Sequence, residues 1–262
     1  MCLILFAWKS VPGSRLIVAA NRDESFGRPA HQATFWKDQP NILAGRDDQA
    51  GGTWLGVTRS GRFAALTNYR NPLDKRTDAP SRGELVASFL SGRSSAEAFA
   101  QSLHEQAAAY NGFSLLVSDG DRMFCYSNRA DDVIEVMPGV HGLSNHLLDT
   151  PWPKVVKGCA GLAALNQHVY EPDAYLALMD DSVPAVERDL PDTGMDAESE
   201  RRLSSLRILA GNYGTRCTSV LHVSDSGQLD FAERTYRSDG STSGEVHHRL
   251  SITLADPAAG PW

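Results

Sequence analysis

Residues Cys2-Leu3-Ile4-Leu5-Phe6-Ala7-Trp8, a turn at Val11-Pro12-Gly13-Ser14, and Arg15-Leu16-Ile17-Val18-Ala19-Ala20 running into Asn21-Arg22-Asp23-Glu24 decide how this chain folds. A short apolar run bounded by a Pro-Gly turn reads as a strand, and a second run after the turn makes the pair a hairpin. Cys2 therefore stands at a strand end. The return strand carries straight on into the four polar residues, and a hairpin folded on itself brings them near Cys2.

Further along, strands are expected at Thr53 to Thr58 and Arg62 to Asn68, joined by a turn at Arg59-Ser60-Gly61. A polar loop, Asn71 to Ala79, leads into helices. Ser81-Arg82-Gly83-Glu84 and Ser94-Ser95-Ala96-Glu97 each have capping-box spacing, before helices at Leu85 to Leu90 and Ala98 to Tyr110. Strands return at Phe113 to Ser118, Arg122 to Ser127 and Val133 to Met137. Helices follow at Trp152 to Leu165, Pro172 to Asp180 and Glu198 to Ala210, with a surface loop from Asp181 to Gly194. Strands at Thr215 to Val223, Leu229 to Arg237 and Val246 to Leu254 close the pattern. This order is α+β, and its hairpin connections make the strands mostly antiparallel. Two sheets packed face to face with helices outside accommodate it. No linker or repeat divides the chain, so residues 1–262 read as one domain.

Composition narrows the function. Apolar residues make up 42%, ordinary for a globular chain. A formal net charge of -7 argues against a nucleic-acid binder, which carries a basic excess. The six-residue apolar run at Leu3 to Trp8 is too short for a secretory signal. No run approaches the ~18–20 apolar residues of a membrane span, so no transmembrane segment is expected. Cys2, Cys125, Cys159 and Cys217 form no CxxC pair, a pattern that suits a reducing, cytoplasmic compartment.

Cys2 is the first candidate for chemistry. If Met1 is removed, it carries both a thiol and an α-amino group, which ordinarily titrates near ~7.7–8 and so can accept the thiol proton. The bland alternative is a small apolar residue in a buried strand. Gly51-Gly52-Thr53-Trp54-Leu55-Gly56 lacks the GK[S/T] ending of a phosphate loop and reads as a turn entering a strand, with Trp54 in the core or lining a pocket. No two of the eight histidines have metal-ligand spacing, and no metal site is expected.

Several segments together carry a family resemblance. They are Met1-Cys2, Asn21-Arg22-Asp23-Glu24, Gly51 to Gly56, Thr67-Asn68-Tyr69-Arg70, Gly142-Leu143-Ser144-Asn145, Pro151-Trp152-Pro153-Lys154 and Tyr213-Gly214-Thr215-Arg216, in that order. On these the chain resembles the NRDE-motif family, also called the Transport and Golgi organisation protein 2 family. That family in turn resembles the N-terminal nucleophile hydrolases, which implies a four-layer αββα sandwich with two mostly antiparallel sheets. The resemblance to the cysteine acylases of that superfamily implies a catalytic set of Cys2, Arg22, Asp23, Asn68, Asn145 and Arg216. Arg22 or Arg216 would favour the thiolate, Asp23 would orient the amino group, and Asn68 or Asn145 would meet a developing oxyanion.

One departure matters. Arg22 and Asp23 are adjacent, and neighbours on an extended chain point to opposite faces. The competing reading is a salt-bridge network pinning this segment, and Glu24 is read as structural. Asn21, Trp54, Tyr69 and His146 are the expected substrate-binding residues. Gly142 to Asn145 and Pro151 to Lys154 either shape a cleft or pack as a loop before a helix.

Two functions follow from the resemblance. One is handling of haem or a related hydrophobic metabolite in intracellular trafficking, with haem as a carried ligand rather than a required cofactor. No CxxCH motif is present, so a haem would rely on isolated side chains such as His141 or His146, or on an apolar cleft. The other is a cysteine amidohydrolase that cleaves a small amide, N-acyl or thioester compound through an acyl-enzyme.

Overall fold

A computed structural model describes residues 2–73 and 76–253. The opening hairpin is present as β1 (Cys2–Val11) and β2 (Ser14–Ser25). Its two runs are apolar at every position because both faces of each strand are covered. Ile4, Phe6, Trp8, Leu16, Val18 and Ala20 point into a core between two sheets. Leu3, Leu5, Ala7, Ile17 and Ala19 point the other way, into a core beneath helices.

In chain order the next elements are β3 (Ala30–Phe35), β4 (Ile42–Asp47), β5 (Leu55–Thr58), β6 (Phe63–Asn68), α1 (Gly83–Ser91), α2 (Ala96–Ser102), β7 (Phe113–Ser118), β8 (Met123–Ser127), β9 (Asp132–Glu135) and β10 (Gly139–Leu143). They are followed by α3 (Pro153–Leu165), α4 (Pro172–Met179), α5 (Ala197–Arg202), β11 (Leu209–Ala210), β12 (Tyr213–Ser224), β13 (Gln228–Tyr236) and β14 (Thr242–Ser251). Among the described residues the strands form two seven-stranded sheets. The first has the order β10-β1-β2-β12-β13-β14, with β11 paired to β12, and the second runs β3 to β9 in sequence. Every pairing is antiparallel.

Helices α3 and α4 cover the outer face of the first sheet, through Trp152, Val155, Leu162, Leu176 and Met179. Helices α1 and α2 cover the second through Leu85, Val86, Phe89 and Ala100. The layers are helix, sheet, sheet, helix. This is the αββα arrangement that the resemblance implied.

Local readings differ from the structure where long-range contacts decide. Strands β3, β4 and β10 lie in stretches with weak alternation, and sheet neighbours supply their hydrogen bonds. The helix expected over Ala98 to Tyr110 stops at Ser102 and continues as two short 3-10 turns, and Ser95 rather than Ser94 caps it, accepting from Ala98 N at 3.2 Å. Helix α1 has no side-chain cap from Ser81. Glu84, expected to close that box, instead accepts a hydrogen bond from the Tyr110 hydroxyl. The helix expected over Glu198 to Ala210 ends at Arg202, because Leu203, Leu206 and Ile208 turn inward to bury their side chains. The last strand ends at Ser251, and Leu254, like Met1 and the tail 255–262, lies outside the described residues.

Candidate active site

Two irregularities in the sheet build the site. Counting back from the turn, where Val11 faces Ser14, a regular hairpin would set Cys2 opposite Asp23. A β-bulge between Trp8 and Val11, with Lys9 at φ +45°, slips the register so that Cys2 faces Arg22. A one-residue slip exchanges the two faces of a strand. Cys2 and Arg22 therefore share the face that looks between the sheets, as a directly opposed pair whose Cβ atoms lie roughly 4.5–5.5 Å apart.

The second bulge is in β12, where Thr215 pairs with Asp23 and Cys217 with Arg22, leaving Arg216 as the extra residue. It lets residues two apart point to opposite faces. Thr215 reaches the helix side and donates to the Asp23 carboxylate at 2.7 Å, while Cys217 stays on the inter-sheet side beside Arg22.

Beyond this row the two sheets part around a cavity of about 710 Å³, lined among others by Cys2, Arg22, Asp23, Glu24, Trp54, Asn68, Arg82, Arg216 and Cys217. That volume suits a small organic molecule. Cys2 is 8% exposed at its end. Burial pushes its thiol up, and the Asp23 charge adds to this. The Arg22 guanidinium and a hydrogen bond from the Asp23 backbone N–H act the other way.

The residues expected at the site divide into two groups. Arg22 donates to Asp47 at 3.1 Å, and Arg28 holds the same carboxylate at 2.5 and 3.1 Å. The salt-bridge network weighed from the sequence is thus present, and it lines the cavity. Arg216 donates to the carbonyls of Ser25 and Arg28, both at 2.8 Å, and flanks the same space. Trp54 satisfies both of its readings, packing on the inter-sheet core while lining the cavity. Asn68 also lines it.

The side chains of the others point away from it. Asn145 is fully buried at φ +54° and donates its amide to the Asn68 carbonyl at 3.0 Å, so it supports Asn68 from behind. Asn21 faces the helices, donating to the carbonyls of Met179 and Leu206 at 2.9 Å and accepting from Thr218 at 2.6 Å. Tyr69 and His146 bond to each other at 2.7 Å, and the second ring nitrogen of His146 meets Thr150 at 2.9 Å. Asp23 lies on the face opposite Arg22, as neighbours on a strand must. Burial pushes its carboxyl up, against the pull of the Lys154 charge and the Thr215 hydrogen bond.

Sequence reasoning missed Arg82, which lines the cavity from the second sheet's side. Its guanidinium donates to the Gly112 carbonyl at 2.8 Å. Burial lowers its proton affinity, while the Cys2 and Glu24 charges raise it. The Ser-x-x-Glu spacing around it pointed only to a helix start. Cys217 and Glu233 were also missed. Buried Glu233 accepts from Ala33 N of the opposite sheet at 2.8 Å and from Ser219 at 3.0 Å, tying the sheets together at the cavity floor. The Gly-Gly-Thr-Trp segment is explained by close approach: a Cβ on Gly52 would stand 2.5 Å from the Gly83 carbonyl carbon.

Residues 1–238 match the family model described as Transport and Golgi organisation 2. A Bos taurus Transport and Golgi organization protein 2 homolog is 36% identical, over 94% of this chain and 97% of its own length. A Mus musculus Transport and Golgi organization 2 homolog is 35% identical, over 90% and 93% respectively. Among solved structures, a Caenorhabditis elegans N-acylethanolamine-hydrolyzing acid amidase ortholog superposes with a TM-score of 0.51. It covers 84% of this chain and 92% of its own, at 10% identity, which is a likeness of fold. The αββα sandwich is thus a fold that this chain shares with that amidase ortholog.

Proposed function

The chain belongs to the Transport and Golgi organisation 2 family, and on that footing we propose that the cavity at Cys2 is a small-molecule site at which Cys2 cleaves an amide or thioester. The observation that carries this reading is the register slip that sets Cys2 beside Arg22 and turns both into the inter-sheet cavity. A buried structural cysteine would need neither the bulge nor the cavity.

The steps follow from the groups present. Removal of Met1 frees the α-amino group of Cys2, which takes the thiol proton. The sulfur attacks the substrate carbonyl carbon, and the Asn68 amide meets the developing oxyanion. Collapse expels the amine or thiol, which recovers the proton from the amino group. Water, deprotonated by the same amine, then hydrolyses the acyl-enzyme and regenerates the thiol. The free thiols of Cys2, Cys125, Cys159 and Cys217 support a reducing, cytoplasmic setting.

Intact mass tests the premise. Loss of the mass of Met1, and a transient adduct of one acyl group on the Cys2 peptide after mixing with an N-acylethanolamine or acyl thioester, are expected. Complete retention of Met1 removes the mechanism.

Carriage of haem is the second reading, favoured by the guanidinium groups of Arg82 and Arg216 in the cavity wall, which suit two carboxylates. The histidines named from the sequence do not fit as axial ligands. Both nitrogens of His141 are engaged, by Asp149 at 2.7 Å and the Met137 carbonyl at 2.9 Å, and both of His146 are bonded as described. Haem would therefore be cargo held by its carboxylates and ring face. Titration should give a saturable Soret change that Arg82→Gln weakens; a linear, non-saturating response rejects this reading.

A further inference from the structure

Lys154 is unused by the mechanism above, and its position is costly. It lies in the first turn of α3, is 2% exposed, and its Nζ has no hydrogen-bond partner among the described residues. An ammonium removed from water is penalised strongly, and the positive end of a helix adds to the penalty. An apolar side chain of the same length would pack there without either cost.

The charges facing Lys154 come from four elements. They are Cys2 of β1, Asp23 of β2, Arg70 just beyond β6 and Glu200 of α5. Arg70 and Glu200 neutralise each other directly at 2.6 Å, both buried. Asp23, on the face of β2 that looks toward the helices, is then the carboxylate whose charge acts most on Lys154. Thr215 and the Tyr213 hydroxyl, which donates to the Asp23 carbonyl at 3.0 Å, hold Asp23 in place. The hairpin end thus has charged groups on both faces: Arg22 on the face of Cys2, and Asp23, within the field of Lys154, on the other.

We propose that Lys154 is a positioning residue of the Cys2 site: its buried amino group is the counter-charge of Asp23, and the two together set how readily Cys2 gives up its proton. This rests on the reading of Cys2 as a nucleophile. Alone, the Asp23 charge opposes formation of a thiolate close by. A protonated Lys154 cancels that field and leaves the attraction of Arg22 to act. Burial, with Arg70 adding to it, brings the Lys154 amine down to about 8, against the pull of Asp23 and Cys2. The amine therefore changes charge in the range where a thiol does its work, and the groups titrate together.

The test needs no substrate. The full chain is alkylated with iodoacetamide across a pH series, and the rate at the Cys2 peptide is read by mass spectrometry. Lys154→Met should slow alkylation roughly three- to tenfold below about pH 8, where Lys154 carries its charge, and leave the rate above that little changed. Lys154→Gln, which also removes the charge, provides the same reading if the methionine variant fails to fold. In an Asp23→Asn background, removing Lys154 should change the low-pH rate much less. Equal rates below about pH 8 in wild type and a folded Lys154 variant, with Cys2 reactive in both, overturn the inference while leaving the nucleophile reading intact. A Cys2 that stays unalkylated in the native wild type at every pH overturns both.

Discussion

Replacing Cys2 with alanine is expected to lower kcat/KM for an amide or thioester substrate by on the order of 10⁴-fold or more, with the melting temperature almost unchanged. The magnitude is that of removing a nucleophile whose partners then have nothing to activate. Stability is spared because Cys2 is small and sits at a cavity edge, where losing one sulfur atom opens little new empty space. Cys2→Ser separates chemistry from packing. The hydroxyl keeps the shape but is far less acidic, so activity falls nearly as far. Steady-state kinetics on the purified variants checks this, and activity of Cys2→Ala within a few-fold of wild type excludes a covalent role. A carrier would behave differently: ligand binding would survive both substitutions.

The largest loss of stability is expected on the other face of the first sheet. Glu200→Ala leaves the Arg70 guanidinium buried without its carboxylate. Both side chains are almost wholly buried, at 4% and 3% exposure, and meet at 2.6 Å. Glu200 also accepts from the Thr193 hydroxyl and backbone N–H, and Arg70 lies over the Trp152 ring at 4.6 Å. Breaking one side of such a pair costs about 3–5 kcal/mol, because the remaining charge is stranded in a poorly solvated site. For a chain of this size that lowers Tm by roughly 10 °C, read by thermal melts or as a fall in denaturant midpoint. The double variant Arg70→Met, Glu200→Leu should recover much of the loss, since no charge is then stranded. A Glu200→Ala protein as stable as wild type would mean that water serves Arg70 adequately. Loss of the pair also reaches the site, because the Arg70 backbone N–H donates to the Asn145 carbonyl at 2.7 Å and Asn145 supports Asn68.

Much of the fold was legible because its signals are local. The apolar runs of β1 and β2, the Pro-Gly turn between them and the hairpins of β5–β6 and β7–β8 each depend on residues a few positions apart. The helix expected through Ala210 was too long because propensity carries no information about Leu203, Leu206 and Ile208 being drawn into the core. Strands β3 and β4 were invisible for the converse reason: their pairing partners, not their composition, make them strands.

The candidate site divides along the same line. By itself the sequence determined that a cysteine begins the first strand, that a hairpin returns a cluster of polar residues toward it, and that Arg22 and Asp23 face opposite ways. These follow from turn chemistry and the two-residue period of a strand. Only the tertiary structure decided which of the two stands beside Cys2. The bulge at Lys9 moves the register by one and selects Arg22, and the bulge at Arg216 gives Asp23 its Thr215 and Arg22 its Cys217. Arg82 from the start of α1, and Lys154 from beneath the first sheet, join the site through contacts that span tens of residues of chain. Burial and long-range charge give those two side chains their meaning, and neither is a property of the residues around them in sequence.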